Sequence, residues 1–310
     1  MLSRRHAILT SGAFLALAAC GKGGGGASTL RVGSQKGGTK ALMLASGALD
    51  GAPYKIEWSD FPAAQNLLEA IGSDAVDVGL VGDGPFQFAY QSGSPARAVA
   101  AMKATSREPG ALAVIVGKTS PARSIRDLAG KRIATTRGSI GHYLVLRALA
   151  EAGLKPDAVK LTFLSPSDSK AALQTGAIEG WSTWVPYTAA ALAEGARIVV
   201  DGRQFSQGVA FDVASASAVA QKRAILADFL AREAKALAWS NDHGADYAKI
   251  LSAETGLPLP VATATVRLNS RLRVPIDAPL IAQQQVILDT FRNAGEFVSP
   301  RPIKDAFAPV

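Results

Sequence analysis

Cysteine is almost missing from this sequence: Cys20 is the only one in 310 residues. No intramolecular disulfide can form, and chemistry that needs a thiol beyond position 20 is excluded. Histidine is nearly as scarce, at His6, His142 and His243, so no His/Cys set of metal-site spacing exists. The Gly-x-x-x-x-Gly-Lys-Ser/Thr phosphate loop and the Gly-x-Ser-x-Gly nucleophile elbow are both lacking. The N-terminal apolar run, Ala13 to Ala19, is too short for a permanent membrane span. Basic residues are scattered and never interleaved with aromatics, which argues against a nucleic-acid face. What remains is better built to hold a small molecule than to convert one.

The first residues, MLSRRHAILTSGAFLALAAC, combine a basic start, an apolar run and small residues before Cys20. That is the layout of an export signal. Leu17-Ala18-Ala19-Cys20 resembles a bacterial lipobox, and Ser3 to Leu9 is similar to a twin-arginine signal. Residues 1–19 are therefore expected to be removed and Cys20 to carry lipid. Residues 20–28, ending in the glycine-rich GKGGGGAS, read as a flexible tether. Losing Arg4 and Arg5 with the signal lowers the formal charge from +8 to +6, which suits an anionic partner.

Behind the tether, short apolar runs alternate with helical patterns, the signature of α/β architecture with mainly parallel strands. Strands are predicted at 30–34, 54–58, 76–81, 98–104, 111–116, 132–136, 159–164, 177–183, 196–200 and 209–214. The clearest helices between them are 62–71, 85–91, 140–152, 168–174 and 187–193. From Ala220 the pattern turns helical, with helices at 220–243, 245–255, 260–268 and 278–294 and no strong strand. The length suits two modest domains, and no linker separates them. The chain is expected to cross between them near Ala111–Val116 and Gly208–Ala214, giving lobe 1 as 29–112 and 213–310 and lobe 2 as 113–212. A small ligand would sit in the cleft between them.

Ligands of open α/β sheets bind beyond the carboxyl ends of strands, so the strand-to-helix junctions are the candidate sites. Four stand out: Gln35-Lys36-Gly37, Gly82-Asp83-Gly84, Gly138-Ser139-Ile140-Gly141-His142, and Trp184 to Tyr187. At the third, two glycines flank a serine where a helix begins, leaving N–H groups beside a hydroxyl with little bulk in the way. Such a junction can hold an anion; it can equally be a turn with a serine cap. Asp83 reads as a ligand contact or as a cap, His142 as a contact or a packed residue, and the tryptophans as cleft or core.

Three segments carry a family resemblance: FPAAQNLLEAIGSDAVDVGLVGDGP (61–85), RGSIGHYLVLRALAEAGL (137–154) and WSTWVPYTAA (181–190). Together they resemble the solute-binding proteins of aliphatic-sulfonate ABC importers, near relatives of taurine and nitrate binders, over about residues 30–303. The resemblance implies a type II periplasmic-binding fold with two crossovers, no enzymatic activity and no cofactor. It also implies a monomer tethered at the membrane, delivering a sulfonate to permease subunits. The sulfonate would meet Gly138, Ser139, Ile140 and Gly141, with help from Gln35 and the Gly82-Asp83-Gly84 turn, and Trp184 would cover its organic part. Gly84, where relatives often carry serine or threonine, would make room, and Val185 replaces a frequent aspartate; both changes speak against taurine. Nitrate, a carboxylate or a thiamine precursor are the other ligands this scaffold would take.

Overall fold

Two sheets organise the chain. The computed structural model describes residues 28–36, 38–297 and 299–310; the expected signal, Cys20, the tether up to Ala27, and Gly37 lie outside them. The first half of the first lobe runs β1 (Thr29–Gln35), α1 (Thr39–Ser46), β2 (Lys55–Phe61), α2 (Ala64–Gly72), β3 (Val78–Gly82), α3 (Asp83–Gln91) and β4 (Arg97–Ala104). The second lobe follows as β5 (Leu112–Val116), β6 (Arg132–Thr135), α4 (Ile140–Glu151), β7 (Lys160–Phe163), α5 (Pro166–Thr175), β8 (Gly180–Trp184), α6 (Tyr187–Ala193) and β9 (Arg197–Asp201). The chain then returns through β10 (Val209–Ala214), α7 (Ala216–Gln221), α8 (Arg223–Asp242), α9 (Gly244–Thr255), α10 (Leu259–Leu268), β11 (Arg271–Val274) and α11 (Ala278–Asn293).

The sheet orders are β11-β4-β10-β3-β1-β2 and β7-β6-β8-β5-β9. The expectation of mainly parallel strands is corrected: among the described residues four pairings are parallel and five antiparallel. The double crossing accounts for four of the five antiparallel pairings, and β11 on β4 is the fifth. β5 and β10 each enter a sheet from the other lobe, so each inserts against the direction of its neighbours. The crossings themselves are residues 105–111 and 202–208, because β5 and β10 already belong wholly to their new sheets. The expected lobe limits at 112/113 and 212/213 consequently fall inside these two strands.

Burial explains the central strands. All five residues of β5 (LAVIV) and all six of β10 (VAFDVA) are buried, as befits strands covered on both faces. One face of the first sheet packs under α1, α8 and α9, with Leu30, Met43, Phe229 and Leu251 at the centre. The other packs under α2 and α3 around Leu67, Ile71, Phe86 and Phe211.

Two further expectations are corrected in the last third. The helix expected over 220–243 is two helices that meet at Lys222, whose φ is −121°. Ser215 caps the first of them, and the Lys222 ammonium turns aside to Asp77 Oδ2 (2.6 Å) and the Thr29 carbonyl (2.9 Å). A strand also exists where none was expected: β11 pairs antiparallel with the edge of β4, Arg271 to Ala104 through Val274 to Ala101. Finally, α11 lies between the lobes. Its Phe291 packs against Phe88 of α3 and against His142 and Tyr143 of α4.

Candidate functional site

The start of α4 shows why its sequence is as it is. Ser139 is the N-cap, with φ −78° and ψ 168°, and its Oγ accepts the N–H of His142 at 3.1 Å. Such a cap contributes about 1 kcal/mol. The same oxygen lies 3.2 Å from Thr135 Oγ1. Gly138 sits at φ +68°, and a Cβ there would fall 2.4 Å from the Phe88 ring. Gly141 approaches β8 so closely that a Cβ would meet Ser182 O at 2.7 Å. Both glycines are thus required by the packing. Ile140 and Gly141 supply the first-turn N–H groups, which have no carbonyl one turn earlier to bond.

The first lobe presents two more helix starts to the same space. α3 begins at Gly82, and the Asp83 carboxyl accepts its neighbour's N–H, Gly84 N to Oδ1 at 2.8 Å. α1 begins after Gly38, which supplies no side-chain cap, and Ser34 Oγ accepts the first-turn N–H of Lys40 at 3.2 Å. Between the lobes lies a cavity of about 160 Å³, lined by Gln35, Lys36, Gly38, Thr39, Gly82 and Asp83 from the first lobe and by Ser139, Ile140, Trp184 and Val185 from the second. Gln65, Asn269 and Arg271 add polar groups to the lining.

Arg271 gives the cleft its charge. Its Nε donates to Asn269 Oδ1 at 3.2 Å, and among the described residues no carboxylate forms an ion pair with it. Burial draws its pKa below the usual guanidinium value, with Asp83 opposing that shift, and it stays a cation. Burial also pushes the Asp83 carboxyl up to about 6, against the pull of the Gly84 N–H and Arg271. The cleft thus offers the first-turn N–H groups of α4, a hydroxyl and a guanidinium without an ion pair among the described residues, beside one weakly acidic carboxyl, a donor-rich site that favours an anion.

The sequence candidates divide. Gln35, Lys36, Gly82, Asp83, Ser139, Ile140 and Trp184 line the cavity. Gln35 is already engaged there, its Nε2 donating to Leu80 O at 2.7 Å, and Lys36 is exposed. Gly138 stands behind the cleft, because its N–H donates to His142 Nδ1 at 3.2 Å. The Ser139 N–H is also engaged, with Thr136 O at 3.0 Å. His142 is buried between Phe163 and Phe291. Tyr187 crosses the lobes, its hydroxyl donating to Pro62 O at 2.7 Å, and packs edge-on against Trp184. Gly84 does not make room as expected: the space for a Cβ is closed by Ile140, whose Cδ1, Cα and N lie at 3.2–3.4 Å. Gly37 lies outside the described residues. Sequence reasoning missed Thr39 and Arg271. The signals for the second were the alternation Arg271-Leu272-Arg273-Val274 and its flanking Asn269-Ser270 and Pro275.

Fold and cleft together define a two-lobed binding protein with the type II periplasmic-binding fold. The sequence pattern of the family described as NMT1/THI5 like matches residues 60–241, more than half of the chain, and the chain belongs to that family. It is 33% identical over 267 residues to a protein of Escherichia coli (strain K12) named for binding aliphatic sulfonates, covering 84% of this chain and 83% of the relative. The crystal structure of the periplasmic aliphatic sulphonate binding protein SsuA from Escherichia coli matches at 30% identity and a TM-score of 0.79, over 92% of this chain and 94% of the other. The alkanesulfonate-binding protein SsuA from Xanthomonas axonopodis pv. citri, bound to MOPS, matches at 30% identity and a TM-score of 0.83, over 91% and 99%.

Proposed function

We propose that this chain is an extracytoplasmic solute-binding protein that captures an aliphatic sulfonate between its lobes for delivery to an ABC importer. The observation that carries this reading is the convergence of the Ser139-capped start of α4 and the Arg271 guanidinium, unpaired among the described residues, on one cleft. The relatives named for sulfonate binding support it. One sulfonate has three oxygens to divide among N–H groups at Ile140 and Gly141, the Ser139 hydroxyl and the guanidinium, while Trp184 covers the organic part. The protein's part is to hold, in keeping with relatives named for binding. Thermal melting tests the ligand class. An alkanesulfonate at a hundredfold excess over its Kd should stabilise the fold by about 2.7 kcal/mol, and the matched alkylamine should not. Equal shifts would remove the anion reading.

The cellular address follows from the N-terminal sequence and from periplasmic relatives. Cys20 becomes the lipidated first residue of the mature chain, anchoring a monomer at the membrane beside the permease subunits. Labelled palmitate entering the wild type and not Cys20→Ala supports this; equal labelling of both, or of neither, refutes it.

A further inference from the structure

Asp212 breaks the pattern of its strand. β10 reads VAFDVA, every residue of it is buried, and a carboxyl stands in the middle at 1% exposure. Glu233, facing it from α8, is 0% exposed. The ionisation of each acts on the other, and the Arg273 guanidinium that faces Asp212 also reaches the Leu230 carbonyl, one turn before Glu233 on α8 (3.5 Å). The cation at hand is Arg273 of β11, with Nη1 3.7 Å from Asp212 Oδ2, close enough for attraction and too far for a hydrogen bond. Glu233 Oε1 accepts the Thr39 hydroxyl at 3.2 Å. Asp212 Oδ2 and Glu233 Oε2 are buried without any hydrogen-bond partner. Thr39 opens α1 and lines the cleft, so this acid pair is the support beneath one of its helix starts.

We infer that Glu233 is a positioning residue of the cleft: it shares one proton with Asp212 and, through Thr39, fixes the first turn of α1 without placing a second negative charge behind the bound anion. The role in anion binding rests on the function proposed above; the shared proton does not. Two ionised carboxylates in contact inside a core repel strongly, and each would leave an oxygen without a donor. One proton resolves both problems, because the Glu233 hydroxyl then donates to Asp212 and Arg273 balances the charge that remains. Burial raises both acids, and the Arg273 guanidinium beside Asp212 favours the ionised form there, which leaves the proton on Glu233.

Among the described residues the surroundings offer no competing base. Opposite Asp212 the flanking strands present Leu80 and Ala100, and α1 presents Thr39. Tyr247 of α9 is held neutral by burial, and Arg271, on the same strand as Arg273, acts on Asp83 and Tyr247.

Infrared spectroscopy of the ligand-free protein reads the proton directly. A protonated-carboxyl stretch should be present at neutral pH, disappear in Glu233→Gln and persist in Asp50→Asn, an exposed control. Calorimetric titration with methanesulfonate then reads the consequence. Wild-type affinity should fall about tenfold as alkali removes the proton and creates a new charge near the cleft. Glu233→Gln, which keeps an acceptor for Thr39 and a donor for Asp212, should match the wild type at neutral pH and show no alkaline loss. Absence of the infrared band, or the same alkaline loss in Glu233→Gln, overturns the inference. If the variant does not fold, disappearance of the wild-type band in an alkaline titration decides the matter. A band present in a protein that binds no sulfonate would uphold the shared proton and reject the proposed function instead.

Discussion

The backbone N–H of Gly138 donates to Nδ1 of His142 at 3.2 Å, while the His142 N–H donates to Ser139 Oγ, so one imidazole ring and one hydroxyl lock the turn that opens α4. Nδ1 must stay unprotonated to accept that bond. Burial, assisted by Arg137, pushes His142 down to about 4 from its ordinary 6.5. A depressed folded-state value means full stability above about 6.5, lost as the pH falls toward about 4. The loss is about 3 kcal/mol, from 1.36 kcal/mol per pH unit. Urea unfolding of wild type and His142→Asn should show their difference shrinking by that amount over this window. A constant difference would mean that the ring is not held neutral.

Asp83 has the opposite sign. Burial raises its carboxyl to about 6 from 3.8, so the stability it contributes is complete below about 3.8 and lost as the pH rises through about 6. Protonation also removes a negative charge from the cleft lining. Sulfonate affinity of the wild type should therefore rise about tenfold as the pH is lowered through this range. Asp83→Asn should hold the higher affinity throughout; a pH-dependent Asp83→Asn would assign the titration to another group.

Gly84→Ser tests how closely the lobes meet. The new Cβ would press on the Ile140 backbone at 3.3–3.4 Å, and backbone cannot yield as a side chain can. The strain falls between lobes and not inside either core, at a cost on the order of 1–3 kcal/mol. Ligand affinity should drop about tenfold or more, with the melting temperature of the unliganded protein nearly unchanged. Unchanged affinity would show that the lobes have slack at this point.

Arg271→Met keeps an unbranched apolar stem and removes the guanidinium with its charge. Hydrogen bonds to charged groups contribute about 1.5–3 kcal/mol each, so affinity for a sulfonate should fall by one to two powers of ten. Affinity within a factor of about two of the wild type would take Arg271 out of the site.

Much of this was legible in the sequence because local signals and tertiary structure agreed. The periodicity of residues 140–152 and the Gly-Ser junction before it located α4 and its cap. Arg271 was hidden for a tertiary reason: β11 is a four-residue edge strand whose side chains are mostly half-exposed, and it exists because β4 offers it a ladder. Mixed strand direction was also invisible, since burial pattern is the same for either direction, which is set by the double crossing and by the return of β11 onto β4. Gly138 looked like a donor to the ligand because no local rule says that His142, four residues on, turns back to take its N–H.

The most direct test of the central claim is calorimetric titration of an alkanesulfonate into Ser139→Asp. As a cap alone, aspartate replaces serine well and suits the positive helix start, so the variant should melt within a few degrees of the unliganded wild type. In the anion site its carboxylate would stand against the sulfonate at a few ångströms, where like charges in a partly dry cleft cost on the order of 4 kcal/mol. Binding should weaken by about three powers of ten, below detection, with the fold intact. Affinity retained within about tenfold would contradict the account: Ser139 would then only cap α4, and the anion would be held elsewhere.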